Sequence, residues 1–159
     1  MQGWAGAGWG AQFIPRVGME VVVAFEAGNP DRPLVLGALY NGVTRPPFAL
    51  PEQKTRSGWR SHSTPRTEGF NELSFEDAAG REQLYLHASR DLDALVERNR
   101  TATIRNDDHT EVQRNQTVVV RAAQTTQVIG ARTTEVDAED RVDVRGSRSV
   151  SVQRELPRV

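Results

Sequence analysis

The chain has 159 residues, enough for one domain or for a small domain with an appendage. Only 37% of them are hydrophobic and 6% aromatic, low for a globule around one large core, while 26% are charged and the net charge is −1. That balance excludes a strongly basic nucleic-acid binder; the lack of cysteine excludes disulfides and thiolate metal sites; and no run of about 18 or more apolar residues is available to span a bilayer.

Met1 opens directly onto a Gly/Trp-rich stretch that reads as mid-domain sequence, and hence as the start of a fragment. Trp4 and Trp9 would suit a stacking platform for single-stranded nucleic acid, but no basic groove accompanies them, and packing against a neighbouring chain or the base of a stalk is the better reading. Met19, Val21, Val23 and Phe25 then alternate, followed by a Gly28-Asn29-Pro30-Asp31 turn and a second apolar run from Leu34 to Tyr40. This is a hairpin signal, and with Phe13 to Gly18 it predicts a partial OB-type β-barrel over 1–45, with roughly three of the about five strands such a barrel needs.

Residues 46–69, with Pro46, Pro47 and Pro51, read as a Pro-rich linker. A second hairpin is expected over 70–87, from Phe70-Asn71-Glu72-Leu73-Ser74-Phe75 through a turn at Asp77 to Gly80 and back along Gln83-Leu84-Tyr85-Leu86. Glu72, Glu76 and Asp77 form an acidic cluster, expected to keep this hairpin soluble rather than to act as a catalytic dyad.

From Ala88 onward one pattern governs the chain. Branched aliphatics recur at every eighth position: Val96, Ile104, Val112, Val120, Val128, Val136, Val144 and Val152. With this position lettered a, position g two residues earlier holds Leu86, Ala94, Ala102, Thr110, Val118, Thr126, Thr134, Val142 and Val150. Residues two apart share one face of a strand, so g and a point inward together, while h between them carries Glu111, Gln127, Glu135 and Asp143 outward. Small residues at c (Ala122, Gly130, Ala138, Gly146, with Arg98, Asn106 and Arg114 in earlier units) and turn formers at d (Asn99, Asp107, Asn115, Ser147) predict a corner after each strand of about five residues.

A period of eight is wrong for a helix, and the Thr/Val content favours strands. Three octads complete a triangular turn. A single coiling chain would show a 24-residue super-repeat, and none is present, so equivalent sides imply three intertwined chains. One inward pair per octad is also too little apolar area for a lone chain: burying a Val contributes roughly 1.5–3 kcal/mol against about 1–2 kcal/mol per residue of backbone ordering. The predicted fold is all-β, a partial OB-type barrel followed by an intertwined triple-stranded β-helix over 88–155 as a homotrimer. Position e is the discordant one: parity turns it inward, yet it holds Arg100, Asp108, Gln116, Gln124, Arg132, Asp140 and Arg148. Exposure at a corner is expected, with Arg132 and Asp140 available to pair.

Chemistry is sparse. No Gly-x-Ser-x-Gly elbow, nucleophile–base pair or phosphate-cradling loop exists, so no catalytic or cofactor-binding residue is assigned. His87 and His109 fall at outward positions; His109 would hold a metal only by converging with Asp107 and Asp108. Ions on the threefold axis are compatible with inward polar residues, but the sequence places none.

Several motifs resemble the VgrG spike proteins of type VI secretion systems and the related needles of contractile-tail phages. They are Gly8-Trp9-Gly10-Ala11, Pro15 to Val21, Gly28-Asn29-Pro30-Asp31-Arg32-Pro33, Gly37-Ala38-Leu39-Tyr40-Asn41, Gly69 to Leu73 and Glu82 to Ala88, followed by the octads. The resemblance implies a C-terminal fragment of a homotrimeric spike on a ring-forming, Hcp-type tube protein. It also implies a conical PAAR-type tip protein and secreted effectors as cargo, assembly in the bacterial cytoplasm, and injection that punctures the target membrane. The family's hub-forming N-terminal region and first barrel strands have no counterpart here. A β-helical polysaccharide lyase would need loops that build a cleft, and the octads carry no insertions. An OB module gripping nucleic acid would need a basic groove.

Overall fold

The computed structural model describes residues 3–65 and 67–152, and the chain divides into two compact units between Thr101 and Ala102. The first strands are very short: β1 (Ala5–Gly6) and β2 (Trp9–Gly10) pair across a tight turn. The ring of Trp9 lies over Gly6 so closely that a Cβ there would sit 2.3 Å from its Cε2, and Trp4 meets Trp9 edge-on at 5.3 Å. The two tryptophans thus pack on each other and on bare glycine backbone.

β3 (Glu20–Phe25) and β4 (Pro33–Leu39) form the first predicted hairpin, antiparallel, with Glu20 opposite Leu39 and Phe25 opposite Pro33. A bulge between Val22 and Val23 shifts the register, so the pairing moves from Gly37 to Val35. The turn is held by the Asp31 N–H donating to Asn29 Oδ1 at 3.0 Å and by an Arg32–Glu26 ion pair at 3.1 Å. The 1–45 stretch therefore contains two separate two-stranded sheets among its described residues.

The expected linker over 46–69 is corrected by the structure: Arg56–Arg60 within it is a strand, β5. Its sequence, Arg-Ser-Gly-Trp-Arg, has no apolar alternation to announce it. It forms because its neighbours complete it, pairing antiparallel with β6 (Glu72–Glu76), which pairs in turn with β7 (Gln83–His87). Gly58 permits the approach: a Cβ there would lie 2.3 Å from the Leu73 carbonyl oxygen. Pro46, Pro47 and Pro51 lie in the loop before the strand and Pro65 after it; in the first loop the Gln53 N–H donates to the Ala49 carbonyl (2.8 Å), the Ala49 N–H donates to Gln53 Oε1 (2.9 Å), and Phe48 is buried.

Beyond β7 the octads bend at fixed intervals, at 97–98, 105–106, 113–114, 121–122, 129–130, 137–138 and 145–146. Each bend covers positions b and c, one residue earlier than the corner read from the small and turn-forming residues at c and d. Between bends the chain forms neither helix nor turn. Among the described residues 90–152 no backbone–backbone hydrogen bond is made within the chain and no strand ladder forms. Every amide of these octads needs a partner from another chain or from water.

Candidate assembly surface

The β5–β7 sheet has two unlike faces. Residues directly opposite in antiparallel strands share a face, so Arg60, Glu72 and His87 lie together, as do Gly58, Ser74 and Tyr85. This polar face is the covered one: Glu72 and Ser74 are buried, and Phe48 is the buried hydrophobic residue above them. The opposite face carries Trp59, Leu73, Phe75, Leu84 and Leu86, and it is largely open in the single chain.

Glu72 organises the covered face. Its Oε1 accepts from Arg56 Nη2 at 2.7 Å and from Ser74 Oγ at 2.6 Å, while its Oε2 accepts from Arg60 Nε and Nη2 at 2.5 Å each. The two guanidiniums stack beneath aromatic rings, with Arg56 5.0 Å and Arg60 5.5 Å from the Phe48 centroid and Arg60 4.8 Å from that of Phe70. Burial alone would raise the Glu72 pKa. The Ser74 and Arg60 hydrogen bonds, with the Arg60 and Arg56 charges, outweigh it and hold the carboxyl below the usual range. Glu76 is also lowered, by the Thr55 hydroxyl at 2.5 Å and the Ala78 N–H at 2.9 Å. The solubilising role expected for Glu72 is thus corrected, because the strand's parity turns it under Phe48. His87, expected to face solvent, is half-buried, with its Nδ1 3.1 Å from the Phe70 carbonyl and its ring stacked on Phe70 at 4.4 Å.

The octad residues show a graded shielding. From Val96 through Ile104, Val112, Val120, Val128 and Val136 to Val144, position a is 46–51% exposed in the single chain, with Val152 at 85%. At g, Val142, Val118 and Val150 are 58%, 68% and 72% exposed, and outward Leu95 and Val119 at h reach 86% and 72%. The e residues Arg100, Asp108, Gln116, Gln124, Arg132, Asp140 and Arg148 are all exposed. Among the described octad residues the ion pairs within the chain are Arg90–Asp91 at 3.2 Å and Arg141–Asp143 at 3.8 Å, not Arg132–Asp140.

Elsewhere, chemistry does not assemble. Asp107 accepts from its neighbour Asn106 at 2.9 Å, and among the described residues no group of three or more His, Asp or Glu side chains converges as a metal site. An open groove along β3–β4 is lined by apolar residues, including Phe13, Ile14, Met19 and Val35. No helix of the described residues is long and apolar enough to cross a membrane.

Over the described residues 90–152 the octads bend regularly and leave their backbone groups unpaired within the chain. Residues 57–157 match the family of the bacteriophage T4 gp5 C-terminal trimerisation domain, and residues 1–40 match the type VI secretion system/phage-baseplate injector OB domain. The chain is 49% identical over 111 residues to the actin cross-linking toxin VgrG1 of Vibrio cholerae, covering 70% of this chain and 10% of that protein. It is equally 49% identical over 111 residues to the type VI secretion system spike protein VgrG3 of Vibrio cholerae, covering 70% of this chain and 11% of the relative. To the spike protein VgrG4b of Pseudomonas aeruginosa it is 46% identical over 110 residues, covering 69% of this chain and 14% of the relative. The chain belongs to the VgrG family of type VI secretion spike proteins, and it spans about a tenth of the Vibrio relatives it matches.

Proposed function

We propose that this chain is a C-terminal fragment of a homotrimeric, cell-puncturing type VI secretion spike, a mechanical part without an active site or cofactor of its own. On this reading residues 1–45 contribute to an OB-type barrel and 88–155 form one strand set of a triple-stranded β-helix. The a and g residues, Val128 and Val118 among them, line its axis. The spike rides on an Hcp-type tube protein, carries a PAAR-type tip protein and effectors, and passes from the bacterial cytoplasm into the target cell.

The observation that carries the reading is the octad stretch itself. It bends every eight residues, shields position a more than its neighbours, and makes no backbone hydrogen bond within the chain among residues 90–152. A backbone so unpaired is stable only where other chains supply the ladder. Such a prism, with hydrogen bonds running along its axis, resists axial load.

The test is the mass of the full chain in solution by sedimentation equilibrium. Three chains per particle are expected. A stable monomer at every concentration would overturn the reading.

A further inference from the structure

Of the asparagines in the chain only Asn41 precedes a glycine; Asn29 precedes Pro30, and the others precede bulky side chains such as Glu72 and Arg100. An asparagine followed by glycine is chemically labile, because the glycine amide carries no side chain to hinder its attack on the neighbouring carboxamide. Asn41 lies just past β4, at the open end of the β3–β4 hairpin, where Glu20 begins β3 opposite Leu39. Both ends of its carboxamide are held there. Its Oδ1 accepts from the Val43 N–H at 2.8 Å and the Thr44 N–H at 2.6 Å, and its Nδ2 donates to Glu20 Oε2 at 2.6 Å. The Asn41 N–H donates in turn to the Thr44 carbonyl at 2.9 Å. Asn41 and Gly42 are nonetheless exposed, so burial does not protect the bond between them; the hydrogen bonds do.

We infer that Asn41-Gly42 is a deamidation site guarded by the fold: the amide is kept while Glu20 closes the hairpin end, and is lost after that end opens. In the reaction the Gly42 nitrogen, having given its proton to hydroxide, attacks Asn41 Cγ. A succinimide ring closes, the Cγ–Nδ2 bond breaks, and Nδ2 takes up a proton and leaves as ammonia. Water then opens the ring at either carbonyl, giving aspartate or isoaspartate, and nothing is oxidised or reduced. Attack requires the carboxamide to turn onto the Gly42 nitrogen, and its contacts with Val43, Thr44 and Glu20 each resist that turn. The Glu20 contact is charge-assisted and so the strongest of the three. Neither product can restore it, since a carboxylate has no hydrogen to donate and repels Glu20. Isoaspartate also adds a methylene to the main chain inside the Asn41–Thr44 turn. Opening of the hairpin end is therefore reversible before the conversion and fixed after it.

The test incubates the full chain in warm, mildly alkaline buffer and follows the peptide bearing Asn41 by mass spectrometry, with isoaspartate read by enzymatic methylation. Wild type, Glu20→Ala and Gly42→Ala are each compared folded and in urea. Folded wild type should convert at least about tenfold more slowly than the same chain in urea. Glu20→Ala should speed conversion of the folded chain at least about threefold, and should match wild type in urea. Gly42→Ala, whose added Cβ would meet nothing within 4 Å, should suppress conversion in both states. If Glu20→Ala loses its β signal, Glu20→Gln, which keeps an acceptor but no charge, is read in the same way. A folded wild type that converts as fast as in urea, or a Glu20 variant that converts no faster than folded wild type, overturns the inference. Either result leaves the trimeric spike standing, because that reading rests on the mass of the particle.

Discussion

The β5–β7 sheet and the octads that follow it meet the same demand, satisfying a polar backbone and hiding apolar side chains, in opposite ways. The sheet closes its hydrogen bonds within the chain and spends its local burial on a carboxylate and two guanidiniums. The octads, over the described residues 90–152, close none of theirs. The difference teaches that backbone pairing is local in the sheet and must come from outside the chain, from other chains or water, in the repeat. The backbone ladder of the sheet is supplied by one chain, whereas that of the octads is not, so stability of the octads should depend on concentration.

The hardest blow to this contrast is Val128→Asp. In a trimer it sets three carboxylates around one axis, each costing several kcal/mol if buried unpaired. Octad assembly should fail in sedimentation while the β5–β7 sheet survives in amide exchange; normal trimer melting would show that position a does not face inward. Next comes Glu72→Ala, which leaves Arg56 and Arg60 facing each other under Phe48. A loss of about 3–5 kcal/mol in urea unfolding is expected at a fixed chain concentration. Gly58→Ala should cost about 1–3 kcal/mol in the same measurement, because the methyl group meets the β6 backbone.

Acid sharpens the comparison further. The folded pKa of Glu72 lies below its ordinary 4.5, so its contribution is complete above that value and is lost as pH falls through the lower, folded one. Acid titration of unfolding should show the sheet weakening below about pH 4.5, and Glu72→Gln should flatten that limb. The smallest effect belongs to Arg141→Ala, whose exposed pair with Asp143 should change trimer melting by no more than about 0.5 kcal/mol.

Both apolar hairpins and the octads were legible because their signal is periodic and local: alternation around Val21 and Val23, turn residues at Asn29 and Asp77, and a repeat at every eighth residue. β5 was not legible, because Arg56 to Arg60 becomes a strand only through pairing with β6, a tertiary effect its own composition does not encode. Glu72 was misread for a related reason. Alternation identifies two faces of a strand but not which one the rest of the chain will cover, and here the loop bearing Phe48 chose the polar one. Leu73 and Phe75 on the other face were the available clue, since they need a cover that the chain does not supply.

The even spacing of the bends has a price in ambiguity. Three chains slipped by one whole octad would present almost the same valines to one another and lose little more than a frayed end. The differing residues at g and e distinguish one octad from the next. The non-repeating β5–β7 sheet, with its Trp59 and its clamped Glu72, occurs once per chain and so carries the register information that the repeat lacks.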